Sequence, residues 1–136
     1  MSRYVTRERV HIDRIATAWA IKRFVDPSAT FVFVQRERDP AALDATPFDM
    51  RGGELSHRDG KVTFEVLLEK HGLLSGAMAR MAEIIHAVDT QEDGAPESKG
   101  VRAVFDGIRD GLATDVERLD AGFKICDALY AYCGGR

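Results

Sequence analysis

The run from Ile12 to Val25 constrains the fold most. Ile12, Ile15, Ala16, Trp19, Ala20, Ile21, Phe24 and Val25 fall around most of a helix circumference, so this helix needs cover on several sides rather than along one stripe. Asp26-Pro27 ends it, because the residue before a proline is pushed out of helical geometry. Thr30-Phe31-Val32-Phe33-Val34 follows, five β-branched or aromatic residues in a row, which reads as a buried strand. Tyr4-Val5-Thr6 is short and β-prone and supplies an opening strand. Strand, buried helix and buried strand together give the pattern of a right-handed βαβ unit.

The remainder is helix-rich. Residues 35–62 carry Pro40, Pro47, Gly52, Gly53 and Gly60 and read as loop, with Phe48-Asp49-Met50 as a third short strand running into an Arg51-Gly52-Gly53 turn. Thr63 reads as an N-cap for a helix over Phe64 to His71, stopped by Gly72. Met78, Met81, Ala82, Ile85 and Val88 mark a third helix, and Val101, Val104, Phe105, Ile108 and Leu112 a fourth. Thr114-Asp115-Val116-Glu117 has the spacing of a capping box and opens a last helix bearing Val116, Leu119, Phe123, Cys126, Tyr130 and Cys133. The expectation is one α/β domain over residues 1–136, helix-rich, with a small parallel sheet of two or three short strands and about five helices.

Composition narrows the function classes. Of 136 residues, 45% are hydrophobic and 30% charged, enough to bury a core and too ordinary for wholesale disorder. The net charge of -3 gives no general attraction to nucleic acid or anionic lipid. Residues 1–25 nevertheless hold six bases (Arg3, Arg7, Arg9, Arg14, Lys22, Arg23) against two acids, Glu8 and Asp13. Such a local excess suits a small anion, or simply a solvated surface. Cys126 and Cys133 lie seven apart on one helix, roughly 10 Å by helical rise and beyond disulfide reach. Free thiols and the lack of a signal-peptide core or a long apolar run point to a cytoplasmic chain. A homodimer is compatible with all of this.

The candidate chemistry is metal coordination. His11 and Asp13 bracket the start of the first helix, His57 lies in a loop before another helix start, and Glu65 sits in that helix's first turn. His86 and Asp89, three apart, project from one side of their helix. Mixed nitrogen and oxygen ligands of this kind favour a divalent zinc, manganese or iron ion. Each residue also has a plainer reading: Asp13 as a helix cap or a partner of Arg7, His57 as a loop histidine, His86 as an edge-of-core histidine, Asp89 as a turn former. His71, one residue before Gly72, suits a helix C-terminus. Arg7, Arg14 and Arg58 would supply donors to a tetrahedral oxyanion.

The string from Thr6 to Val34, with His11-Ile12-Asp13-Arg14-Ile15-Ala16, Ala18-Trp19, Arg23-Phe24-Val25-Asp26-Pro27 and Phe31-Val32-Phe33-Val34, resembles the chromate-resistance (ChrB-type) C-terminal domain family. Pro47-Phe48-Asp49-Met50, Leu55-Ser56-His57, Thr63-Phe64-Glu65, Ile85-His86-Ala87-Val88-Asp89, Gly111-Leu112 and Asp127-Ala128-Leu129-Tyr130-Ala131 agree with it. In full-length members this domain follows an N-terminal regulatory segment and is associated with chromate sensing and control of an efflux operon. The resemblance thus implies metal or oxyanion sensing, or detoxification. The order His11-x-Asp13, Asp49, His57, Asp89 is also similar to the ligand order of the DHH-type phosphoesterases, although their Asp-His-His triplet reads Ser56-His57-Arg58 here. That similarity implies an alternative role, metal-dependent hydrolysis of phosphate esters.

Overall fold

The computed structural model describes residues 2–35, 44–50, 55–92 and 94–136. Three strands form one parallel sheet: β1 (Arg3–Arg7), β2 (Thr30–Val34) and β3 (Thr46–Pro47), in the order β2-β1-β3. Between β1 and β2 runs α1 (Ile12–Ala20), so the expected βαβ unit is present, with Val5 opposite Val32 at the middle of the pairing. After β3 come α2 (Thr63–Lys70), α3 (Gly76–Thr90), α4 (Ser98–Gly111) and α5 (Asp115–Tyr132). The α/β class with five helices and a small parallel sheet follows the sequence pattern. No helix among the described residues is long and apolar enough to cross a membrane.

The first helix lies at the centre. Every residue of α1 except Arg14 is buried, and α2, α3 and α5 all pack on it. Small side chains make this possible: Ala16, Ala18 and Ala20 let neighbouring helices approach. Gly122 on α5 serves the same purpose, since a Cβ there would lie 2.4 Å from Ile15 Cγ2. The helix then widens over Ile21–Val25 into a π-helical turn, with Asp26 N donating to Ile21 O at 2.7 Å.

Several boundaries differ from the sequence reading, each for a local reason. The third strand is Thr46–Pro47 rather than Phe48–Met50. Phe48 still donates its N–H to Val5 O, but Asp49 takes φ +50, and this left-handed backbone ends the extended run. The Arg51-Gly52-Gly53 turn lies outside the described residues. Thr63 is the first helical residue and not the N-cap; Val62 holds that place. Val116, read as part of an apolar stripe, is 62% exposed. Of the capping box expected at Thr114 the N-cap half forms, its Oγ1 accepting from Glu117 N, while the Glu117 carboxylate accepts from the Thr114 hydroxyl. Cys126 is buried and Cys133 half-buried, both free, and burial pushes both thiols up, which keeps them protonated and poor ligands.

Candidate metal centre

The strand order places a site before any side chain is considered. From β1 the chain crosses to β2 on one side and later returns to β3 on the other, so connections diverge between β1 and β3. In parallel sheets ligands bind outside the carboxyl ends of strands at such a point. Asp13 follows β1 and Asp49 follows β3, and both carboxylates arrive there.

Asp13 is 3% exposed. Its Oδ1 accepts from Phe64 N at 2.9 Å and its Oδ2 from Thr63 N at 3.1 Å. A carboxylate from α1 thus satisfies amides at the start of α2 that a local N-cap would ordinarily take, and Val62 has no side-chain acceptor. Glu65 completes the arrangement, its Oε1 accepting from Val62 N at 3.1 Å. The plain reading of Asp13 as a cap is therefore realised, but on a different helix from its own.

Thr63 is released by this arrangement to face the site. Its hydroxyl donates to Asp49 Oδ1 at 3.1 Å. The ring of His57 lies between carboxylates, with Nδ1 3.2 Å from Asp49 Oδ1, 3.7 Å from Asp13 Oδ2 and 3.1 Å from Thr63 Oγ1. Its Nε2 is 3.0 Å from Asp89 Oδ2. The Thr63 proton is spent on Asp49, so both ring nitrogens face acceptors, an arrangement that favours the imidazolium. Arg14 holds the other side of Asp49, its Nε 3.2 Å from Oδ2.

Charge is frustrated here. Burial first, then the charges of Asp49 and Asp89, push the Asp13 carboxyl up to about 7, against the Phe64 amide and His57, which favour ionisation. For His57, burial acts downward, but the Asp89 hydrogen bond and the charges of Asp13, Asp49 and Asp89 outweigh it and the ring is raised. Three carboxylates therefore surround one imidazole, and the neutral acid and the charged ring are the forms this pocket prefers.

Among the described residues, Asp13, Asp49 and His57 are the group able to offer one ligand atom each within 4.8 Å of one another. Asp89 stands one bond further out, on the far nitrogen of His57. The other sequence candidates pair elsewhere. His86 Nδ1 is 2.6 Å from Glu65 Oε1, with Glu92 at 3.7 Å from Nε2. His11 Nε2 is 2.7 Å from Asp106 Oδ1, and burial lowers its pKa despite that partner. Arg14 is engaged by Asp49, and Arg58 lines a separate cavity of about 320 Å³ with Lys61 and Lys70. Asp49 enters the sequence reading only through its place in the phosphoesterase-like order. The general signal for it is an acidic residue just past a short β segment, at the carboxyl edge of a sheet.

The chain matches the family described as ChrB, C-terminal domain, over residues 4–133. It belongs to that family. It is also 37% identical over 130 residues to Protein ChrB of Cupriavidus metallidurans, an alignment covering 95% of this chain and 40% of that relative. The chain thus spans well under half the length of the curated relative it matches. No solved structure matches it. The resemblance to the chromate-resistance family is thereby established over nearly the whole chain, and the residues of the carboxylate–imidazole cluster all lie inside the matched span.

Proposed function

We propose that this domain of the ChrB family binds a divalent metal ion through Asp13, Asp49 and His57, and serves chromate resistance by sensing or detoxifying a metal or its oxyanion. The observation that carries the reading is the convergence of these three ligand atoms within 4.8 Å at the carboxyl edge of the sheet. Their chemistry suits it. One imidazole and two carboxylates are a nitrogen–oxygen set fit for zinc, manganese or ferrous iron. Loss of the Nδ1 proton would free a lone pair toward the ion, while Nε2–H stays on Asp89. A carboxylate behind a ligating histidine fixes its tautomer and raises its basicity. Asp89 is on this reading a positioning residue, and His11, His86 and Glu65 lie outside the ligand set.

A cation would also relieve the frustration just described, because it stabilises the ionised carboxylates that burial opposes. Free thiols suit a reducing, cytoplasmic setting. The phosphate-ester hydrolase alternative draws no support from either match. The test is elemental analysis of protein purified without chelator, alongside His57→Ala. Stoichiometric metal in the wild type and its loss in the variant are expected. Traces only, or equal metal in both proteins, would overturn the reading.

A further inference from the structure

A second cavity lies at the opposite end of α1 from the metal candidate. It measures about 460 Å³ and is bordered by Lys22, Arg23, Phe123, Asp127, Tyr130 and Arg136, within the size range of small-molecule sites. The π-helical turn carries Lys22 and Arg23 on one side, and such turns recur at functional sites. The last turn of α5 and the residues after it form the other side.

The wall is built, not incidental. Trp19, Phe24 and Tyr130 meet edge to face with centroids 5.6 Å apart. The Arg23 guanidinium lies 5.0 Å from the Tyr130 centroid and 5.2 and 5.6 Å from those of Phe24 and Trp19. Asp127 Oδ1 accepts from both Trp19 Nε1 and Arg23 Nη1, at 2.8 and 3.1 Å. Gly135 lies directly on the Tyr130 ring, where a Cβ would come within 2.3 Å of Cζ. Only glycine permits that approach, and it fixes the Tyr130 face of the cavity.

The donors here exceed local needs. Lys22 Nζ gives one hydrogen bond, to Ala29 O at 3.0 Å. Arg23 uses one nitrogen on Asp127, although the guanidinium has five N–H donors. Tyr130 makes no side-chain hydrogen bond among the described residues. Lys22, Arg23 and Arg136 border the cavity beside the single acidic side chain Asp127, so N–H donors outnumber the side-chain acceptors that use them. Unused N–H donors of Lys22 and Arg23 therefore remain beside an apolar surface.

The geometry points to a binding site for a small organic anion. A phosphate or carboxylate would be held by Lys22, Arg23 and Arg136, and the apolar body would lie against Phe123 and Tyr130. This site is independent of the metal reading. Trp19 is the chain's single tryptophan and shares Asp127 with Arg23, so its fluorescence reports occupancy directly.

Phenyl phosphate and inorganic phosphate, each titrated into chelator-treated protein, form the test, with calorimetry as a second readout. Saturable binding of phenyl phosphate, at least about tenfold tighter than inorganic phosphate, is expected from burial of its ring. Arg23→Gln should weaken it about tenfold or more, as for loss of a charged hydrogen bond, and Lys22→Gln should weaken it too. Phe123→Ala should erase the preference for the ring, whereas His57→Ala should bind as the wild type does. Both Arg23→Gln and Lys22→Gln are surface changes whose folding is checked by their thermal midpoints. Absence of saturation, equal affinity for the two phosphates, or binding untouched by Arg23→Gln would overturn the proposal.

Discussion

The two ends of α1 solve opposite problems. At the C-terminal end, Trp19, Phe24 and Tyr130 pack edge to face and Arg23 lies over all three rings with its charge answered by Asp127. Each contact there contributes to stability in the ordinary way. At the N-terminal end, Asp13 is buried beside Asp49 and Asp89, with His57 as the main counter-charge inside the cluster. The like charges of three carboxylates around one ring cost stability that the Asp13 cap on α2 and the Arg14–Asp49 pair only partly offset. The difference leaves the aromatic end well paired, with spare donors beside its cavity, and the acidic end as the one where burial and like charge oppose ionisation.

Phe64 joins the two ends, since its N–H donates to Asp13 and its ring lies 6.5 Å from that of Trp19. Phe64→Ala should therefore have the largest effect, about 3–5 kcal/mol of unfolding free energy as for other buried aromatics, measured by urea denaturation. It should also weaken metal binding, because the start of α2 would shift with the cavity. A loss of stability below about 1 kcal/mol would contradict the packing described.

Gly122→Ala comes next. It places a Cβ against Ile15 at the middle of α1, and overpacking of this kind costs about 1–3 kcal/mol. Metal affinity should change less than stability, because the displaced contact is on the α5 side. An unchanged midpoint would show that α1 and α5 are looser than the glycine contact implies.

Asp89→Asn sharpens the comparison from the acidic side. It removes the carboxylate behind His57 Nε2 while keeping the shape, and should cost about 10–100-fold in metal affinity with little loss of stability. His86→Ala should leave metal affinity unchanged, since His86 is paired with Glu65. Equal losses in the two variants, read by calorimetric titration, would contradict the distinction between them.

The pH dependence has a definite sign. Asp13 is raised from 3.8 to about 7, so its contribution is fully present below its unfolded pKa and is lost as pH rises through the folded one. His57, raised above 6.5, acts in the same direction: its contribution is lost as pH rises through its folded value. His11, lowered by burial, opposes them, its contribution being lost as pH falls. The thermal midpoint in chelator should fall as pH rises from about 5.5 to 8. Saturating metal should flatten that slope, because the ion holds Asp13 ionised. A midpoint that rises through this window, or a slope that metal leaves unchanged, would contradict the charge arrangement.

Much of the fold was legible in the sequence because its signals are local. The all-round apolar surface of Ile12 to Val25 required a central helix, and Thr114 with Glu117 marked the start of α5. The third strand was misplaced because pairing with β1, a tertiary event, selected Thr46–Pro47 while Asp49 turned away. Thr63 was misread as a cap because the true acceptor, Asp13, lies 50 residues earlier. Of the six ligands expected, the structure brings Asp13 and His57 together, sets Asp89 on the far nitrogen of that ring, and pairs Glu65 with His86 and His11 with Asp106. Spacing shows that imidazoles and carboxylates are on offer. It does not show which of them neutralise one another, and Asp49 carried too little local signal to be ranked with them.

The most direct measurement is anomalous diffraction at the absorption edge of the bound metal, from crystals of protein purified without chelator. A single peak bounded by Asp13, Asp49 and His57 Nδ1, with Asp89 still on Nε2, is the expected result. A peak on His11 or His86, or no peak in protein that carries metal by elemental analysis, would contradict it.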